Sequence, residues 1–126
     1  MKPRTIKILY WTVTILYCLF FLMDGVMGMM RIEQGKEIMA HLGYPVYVMT
    51  ILGVAKVSGA LAILQGRFST LKEWAYAGFT IHFIGACASR AFAGDSIGLI
   101  LSPLIFMAFL FLSYFLWKKV EQYKAA

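Results

Sequence analysis

Four ionisable side chains interrupt the long apolar segments of this sequence. They are Asp24, Lys56, His82 and Arg90. An ionisable group in hydrocarbon is costly, so each one needs a partner, an aqueous cavity or a function. A cation at this depth can donate to a carbonyl oxygen of a bound molecule, and a histidine can pass a proton. We therefore predict that these side chains form a ligand-binding site within a membrane.

The depth of each of these residues follows from its distance to the end of its apolar segment. At 1.5 Å per residue, Arg90 lies roughly 5 Å below the outer surface, Asp24 about 9 Å, and Lys56 and His82 on the order of 15 Å. Side chains lean toward the N-terminus of their helix, so the heads of Asp24, Lys56 and Arg90 converge on one level. We expect Asp24 to pair with Lys56, with Arg90 or with both, and His82 to lie just beneath them.

The apolar segments have the length of membrane-spanning helices. Of the 126 residues, 61% are hydrophobic and 14% are charged, a balance that does not suit a water-soluble domain. A hydrocarbon core of ~30 Å needs ~20 residues of helix. The predicted spans are about 8–30, 46–64, 74–92 and 97–117. The sequence predicts an all-α integral membrane four-helix bundle with antiparallel neighbours, a single transmembrane domain over residues 1–126.

The basic residues predict the orientation of this bundle, because cytoplasmic loops carry an excess of lysine and arginine. One set of helix ends carries Lys2, Arg4, Lys7, Arg67, Lys72, Lys118, Lys119 and Lys124. The opposite loops carry only Arg31 and Lys36. Both termini are therefore predicted to be cytoplasmic, in a multi-pass protein of a bacterial cytoplasmic membrane. The basic start also resembles a secretory signal, but the apolar sequence continues past Met23, so we expect a first span.

The loop between the first two spans has a pattern of its own. Ile38, Met39 and Leu42 follow helical spacing, and Gly43 supplies a helix stop before Tyr44. We predict a short amphipathic helix that lies on the outer membrane surface.

Small residues indicate which faces of the spans meet, because they let helices approach closely in lipid. On the third span, the stripe consists of Ala75, Gly78, His82, Gly85 and Ser89. On the second span, Lys56 is bracketed by Gly53, Gly59 and Ala60. One face of the first span carries Thr14, Tyr17, Asp24 and Gly28. We expect these three stripes to form the interior of the bundle and the fourth span to face mostly lipid.

Several other functions are disfavoured by what the sequence contains. The net charge of +6 is not gathered on one aromatic face, so nucleic-acid binding is not expected. Cys18 and Cys87 do not form a Cys-x-x-Cys pair. His41 and His82 lie far apart, with no coordinating carboxylates or thiolates at suitable spacing, so we expect no metal site. The expected partners are membrane lipids and another membrane protein or a second copy of the chain.

Three segments resemble the DoxX-like family of small bacterial membrane proteins. They are residues 40–45 (AHLGYP), 51–56 (ILGVAK) and 71–79 (LKEWAYAGF). Asp24-Gly25 stands where relatives often carry a small residue followed by glycine. The resemblance covers nearly the whole chain and implies a four-helix membrane fold. Some relatives are associated with a thiosulfate:quinone oxidoreductase, with redox-stress complexes or with assembly of other membrane proteins, but the missing cysteine pair gives no support to thiosulfate oxidation here.

Three functions stay open from the sequence. The first is an accessory membrane subunit in which Asp24, Lys56, His82 and Arg90 bind a quinone or a lipid. The second is a scaffold or assembly factor whose polar network only fixes the helices. The third is a membrane enzyme acting on a lipid or quinone, with Asp24 and His82 as acid and base.

Overall fold

The computed structural model describes residues 2–125, and this range consists of helices joined by short connections. The helices are α1 (Pro3–Met29), α2 (Glu33–Leu42), α3 (Tyr47–Leu64), α4 (Ser69–Phe92) and α5 (Ile97–Ala125). Residues 2–125 contain no strand. The prediction of an all-α protein is confirmed.

Three of the helices, α1, α3 and α5, are long and apolar enough to cross a membrane. Helix α4 has 24 residues, which is sufficient length, but Lys72, His82 and Arg90 lower its hydropathy below that of the other three. The chain is therefore a membrane protein, and three of its helices within residues 2–125 are candidate spans by length and composition. The crossing by α4 stays a prediction.

Helices α1, α4 and α5 extend beyond the predicted spans, and α4 does so by starting at Ser69, five residues before the predicted start at 74. Helix α1 begins at Pro3, in its first turn, where the missing N–H of proline and its fixed φ suit a helix start. Helix α5 continues for a further two turns to Ala125, and Lys124 lies 3.9 Å from Glu121 on its surface. Charged residues favour this extension because they support a helix that has left the hydrocarbon.

The sequence pattern predicts a short helix from Glu37 to Leu42. Helix α2 occupies this loop and begins four residues earlier, at Glu33. Its end is set by Gly43, whose φ of 85° is a conformation that glycine adopts without steric penalty. The Gly43 N–H donates to the Ala40 carbonyl at 3.2 Å, and the Tyr44 N–H donates to the Met39 carbonyl at 2.8 Å. The predicted stop signal thus caps the helix.

The long helices form a closed ring in which α1 packs against α3 and α5, and α4 packs against α5 and α3. Close approach of α1 and α3 depends on glycine. A Cβ added at Gly53 would lie 2.5 Å from the Gly25 carbonyl oxygen, so only glycine fits there. The buried centre is aromatic, with Tyr10, Phe21, Tyr76, Phe79, Phe83 and Trp117.

Two sequence expectations about helix faces need correction. A Cβ at Gly78 or Gly85 would meet no atom within 4 Å, so the small-residue stripe of α4 makes no close helix contact at its two glycines. The buried face of α4 is the adjacent one, with Tyr76, Phe79 and Phe83. Helix α5 exposes most of its large side chains, as expected, yet one face is buried. That buried face includes Leu110, Ser113, Leu116, Trp117 and Val120.

Candidate functional site

A cavity of about 510 Å³ lies between the helices and is lined by all four ionisable residues singled out from the sequence. Asp24 is contributed by α1, Lys56 by α3, and both His82 and Arg90 by α4. The rest of the wall includes aromatic, aliphatic and hydroxyl side chains from every helix. A concave apolar space with a few convergent polar groups is the usual form of a small-molecule site.

The expected pairing of Asp24 with Lys56 is present. The Lys56 Nζ donates to Asp24 Oδ2 at 2.7 Å. The side chain of Lys56 is 20% exposed and that of Asp24 is 42% exposed, so both reach the open space of the cavity. The pair sits beside the contact of Gly25 with Gly53, which brings the two helices close enough for a direct ion pair.

Arg90 does not form an ion pair with Asp24, the partner expected for it from the sequence. Its Nη1 donates instead to Asp95 Oδ2 at 3.1 Å. Asp95 lies just after α4, and the φ of 76° at Gly94 turns the chain back toward the helix end. The side chain of Asp95 is only 6% exposed, so Arg90 is neutralised at the end of the cavity next to the turn between α4 and α5.

Helix α2 and the loop after it are joined to the end of α4 and the turn that follows it by a second set of polar contacts. His41 Nε2 donates to Asp95 Oδ1, and the hydroxyls of Tyr44 and Ser89 share a hydrogen bond. The hydrogen bond from His41, and then the one from Arg90, lower the pKa of Asp95 below its ordinary value. These contacts hold α2 over the same end of the cavity, where Met39, Leu42 and Tyr44 form part of the wall.

His82 lies between two cavities. It lines the one described above and also a second, of about 480 Å³, between α3 and α4. Lys56 lines both as well. Gly78 and Ala75 border the second cavity, so the small residues of α4 leave room beside His82 where they were expected to contact another helix.

Phenyl rings form the apolar part of the first cavity. The rings of Phe20 and Phe106 stack with centroids 5.6 Å apart, and those of Phe83 and Phe106 stack at 6.1 Å. Phe21 meets Phe106 edge-on at 5.9 Å. Such a surface favours a flat ring or an acyl chain, because aromatic faces contribute large contact area with defined geometry.

Helix α5 supplies a shaped wall through Pro103, which stands inside the helix. Proline has no N–H for the carbonyl four residues earlier, that of Leu99. Ser102 Oγ donates to this Leu99 oxygen at 2.8 Å, so the freed backbone acceptor is satisfied within the protein, as the membrane interior demands. Tyr17 further fixes this region by donating to the Phe106 carbonyl at 2.8 Å.

Sequence reasoning missed the polar role of Tyr44 and Ser89 in the cavity wall and of Asp95 beside it. Ser89 was assigned to a stripe of small packing residues, and neither Tyr44 nor Asp95 was singled out for chemistry. A signal for Asp95 was available, since it is the first carboxylate after Arg90 along the chain and follows a short glycine turn. No comparable signal marks the pairing of Tyr44 with Ser89.

Metal ligands and reactive thiols are the other groups in residues 2–125 that could carry out chemistry. Within residues 2–125, no three histidine, cysteine, aspartate or glutamate side chains gather as they would around a metal ion. Cys18 is buried and Cys87 half-buried, and each is a free thiol. The chemical character of the cavity therefore comes from one ammonium group, one guanidinium group, one carboxylate, an imidazole and hydroxyls.

Apolar helices of this length, joined by charges that face an internal cavity, define a small all-helical membrane protein. The family model of the DoxX-like family matches residues 12–113. The chain belongs to the DoxX-like family, and the resemblance found in the sequence is confirmed. No curated protein and no solved structure matches this chain significantly.

Proposed function

We propose that this protein crosses the bacterial cytoplasmic membrane four times, with both termini in the cytoplasm. Helix α4 supports this arrangement because its outward face is apolar, with Ile81 70% exposed and Ile84 55% exposed. An apolar exposed surface between charged helix ends suits lipid. The excess of lysine and arginine at one set of helix ends supports the orientation.

Helix α2 lies on the outer membrane surface in this arrangement. None of its residues is buried, and it carries Glu33 and Lys36, which pair at 3.2 Å on its exposed side. Its apolar residues Met39 and Leu42 turn toward the cavity. An amphipathic helix in this position covers the outer end of the site.

The cavity lined by Asp24, Lys56, His82 and Arg90 binds an amphipathic molecule, a quinone or a lipid, and the protein serves as an accessory membrane subunit. The observation that carries this proposal is the convergence of all four side chains on one cavity whose remaining walls are largely apolar. Lys56 and Arg90 are donors for carbonyl or ester oxygens, and the stacked phenyl rings accept a flat ring or a chain. The volume lies within the range of small-molecule sites.

A scaffold function is the second candidate, and the ion pairs favour it. Lys56 pairs with Asp24, and Arg90 pairs with Asp95, so each cation is neutralised without a ligand. In a scaffold, the only role of these ion pairs would be to fix the positions of the helices. The two candidates differ in whether the cavity holds a molecule in the native membrane.

Mass spectrometry of the protein purified in mild detergent tests the proposal. We expect a quinone or lipid to copurify in near-stoichiometric amount with the wild type and to be lost from Lys56→Met, which keeps the apolar stem and removes the donor. The matched control is Lys7→Met, which removes a charge from the exposed part of α1. Equal retention by wild type, control and Lys56→Met, or absence of any bound molecule from all three, would favour the scaffold.

A further inference from the structure

A separate cavity of about 250 Å³ lies at the opposite end of the molecule, between the ends of α1 and α5 and the start of α4. Three cations contribute to its wall, Arg67, Lys72 and Lys124. The indole rings of Trp11 and Trp117 form its apolar side. This end carries the basic residues that we assign to the cytoplasmic side. The two cavities have no lining residue in common.

Lys72 is the unusual member of this group because it is only 4% exposed. Its Nζ donates to the hydroxyl of Tyr10 and lies 4.8 Å from the centroid of the Tyr10 ring and 4.9 Å from that of Trp117. Within residues 2–125, none of the ion pairs joins a carboxylate to this ammonium. A buried cation is strongly destabilising unless an anion compensates it, and aromatic faces compensate it only in part.

The start of α4 adds to the positive character of this cavity. Ser69 is the first residue of the helix and part of the cavity wall, and the first N–H groups of a helix have no partner within the helix. The loop before it is held in place by Gln65, whose Oε1 accepts from the N–H of Arg67 at 2.8 Å and of Phe68 at 2.7 Å. A helix start next to fixed cations is a favourable place for an anion.

We propose that this cavity binds a phosphate group, carried by an anionic phospholipid of the facing leaflet or present as inorganic phosphate. The Lys72 ammonium binds it from within the protein, and Arg67 and Lys124 close over it from the exposed side. Phosphate oxygens accept hydrogen bonds from both kinds of cation, and Arg67 can donate two in parallel. The tryptophan rings lie where the glycerol backbone of a lipid would lie.

Glu121 is the one acidic residue in the wall of this cavity. It lies 3.9 Å from Lys124 and would repel a phosphate. Glu121→Gln removes this repulsion and leaves the size of the side chain unchanged. The phosphate proposal therefore predicts tighter binding by this variant, whereas a purely structural role of Lys72 predicts no change.

The test uses the full chain in nanodiscs of phosphatidylcholine with a minor fraction of phosphatidylglycerol, with bound lipid counted by native mass spectrometry. A second arm titrates inorganic phosphate into the protein in neutral detergent. We expect Lys72→Met and Arg67→Gln each to weaken binding about fivefold, the usual contribution of one basic residue to anionic-lipid binding. Lys7→Met and Arg4→Gln, which remove equal charge from exposed positions of α1 that do not line the cavity, should weaken binding less than either cavity variant.

Each outcome decides the proposal. Selective loss of phosphatidylglycerol assigns the site to a lipid, and selective loss in the phosphate arm alone assigns it to the free anion. Lack of binding in both arms, or equal weakening by the cavity variants and their controls, overturns the proposal. If Lys72→Met does not fold, Arg67→Gln and Glu121→Gln decide the outcome, because both positions are exposed.

Discussion

The ammonium of Lys56 lies 2.7 Å from the carboxylate of Asp24 and joins α3 to α1 within the apolar part of the molecule. The pair is neither fully buried nor on the surface, since its side chains are 20% and 42% exposed. Both groups face the cavity, so Asp24 compensates the charge of Lys56 while an approaching oxygen can still reach it. This relationship underlies both the stability of the fold and the proposed binding.

The first prediction concerns the energy of this pair. Asp24→Asn and Lys56→Met should each lower the free energy of unfolding by about 1–2 kcal/mol, between the values for exposed and buried ion pairs. The double variant should lose less than the sum of the two, because removal of both charges leaves no unpaired group. Unfolding by dodecyl sulfate in mixed micelles measures all four proteins. Additive losses would show that the contact does not stabilise the protein.

The second prediction concerns the close contact of α1 with α3. Gly53→Ala should lower the free energy of unfolding by about 1–3 kcal/mol, because its Cβ must displace the backbone of α1. Gly78→Ala is the matched control, since a Cβ there meets no atom within 4 Å. That variant should be neutral or more stable by up to about 1 kcal/mol, through the higher helix propensity of alanine. Equal effects at the two positions would contradict the packing described.

Helix α4 shows why the sequence pattern predicted the pairing of Asp24 with Lys56 better than it predicted the packing of the helices. The depth of Asp24 and Lys56 follows from counting residues, so their pairing could be expected. The stripe through Gly78 and Gly85 and the stripe through Phe79 and Phe83 are offset by one residue, and spacing does not say which of them faces the core. Van der Waals packing decides which stripe faces the core, because the aromatic rings fill the interior of the bundle while the glycines would leave a cavity there.

The third prediction concerns the hydrogen bonds at the centre of the bundle. Ser113 Oγ lies 2.6 Å from Thr14 Oγ1 and 2.7 Å from the Tyr76 hydroxyl. Ser113→Ala leaves two buried hydroxyls without this partner and should lower the free energy of unfolding by about 1–2 kcal/mol. Ser58→Ala, at an exposed position of α3, should have no measurable effect. A stable Ser113→Ala protein would show that Thr14 and Tyr76 are satisfied in another way.

The fourth prediction concerns pH. His41 and Arg90 face Asp95 and lower its pKa, so the folded protein keeps this carboxylate ionised where the unfolded chain protonates. The stabilisation is present above the ordinary aspartate pKa of about 3.9 and is lost as pH falls through the lower value of the folded state. The melting temperature of the wild type should thus fall more steeply than that of Asp95→Asn between about pH 5 and pH 3. Parallel curves would exclude a folded-state role of the Asp95 charge.

The pairing of Arg90 with Asp95 marks the limit of sequence reasoning at the site. Arg90 was assigned by depth to the level of Asp24, but a long guanidinium side chain reaches in more than one direction. The position of Asp95 as the first carboxylate after Arg90 was a signal for this contact, and the positive φ at Gly94 returns the chain so that the two side chains meet. The burial of Ser113 was missed because α5 carries no stripe of small residues to mark its inner face.

Photo-crosslinking tests the central claim most directly. A quinone or a phospholipid that bears a diazirine near its polar head is activated in membranes containing the protein, and the labelled peptides are mapped by mass spectrometry. We expect adducts at cavity residues such as Phe20 and Phe106, suppressed by excess unlabelled ligand and absent from Lys56→Met. Labelling confined to outward residues such as Leu16 and Phe115, and unchanged by Lys56→Met, would contradict a binding site between Asp24, Lys56, His82 and Arg90.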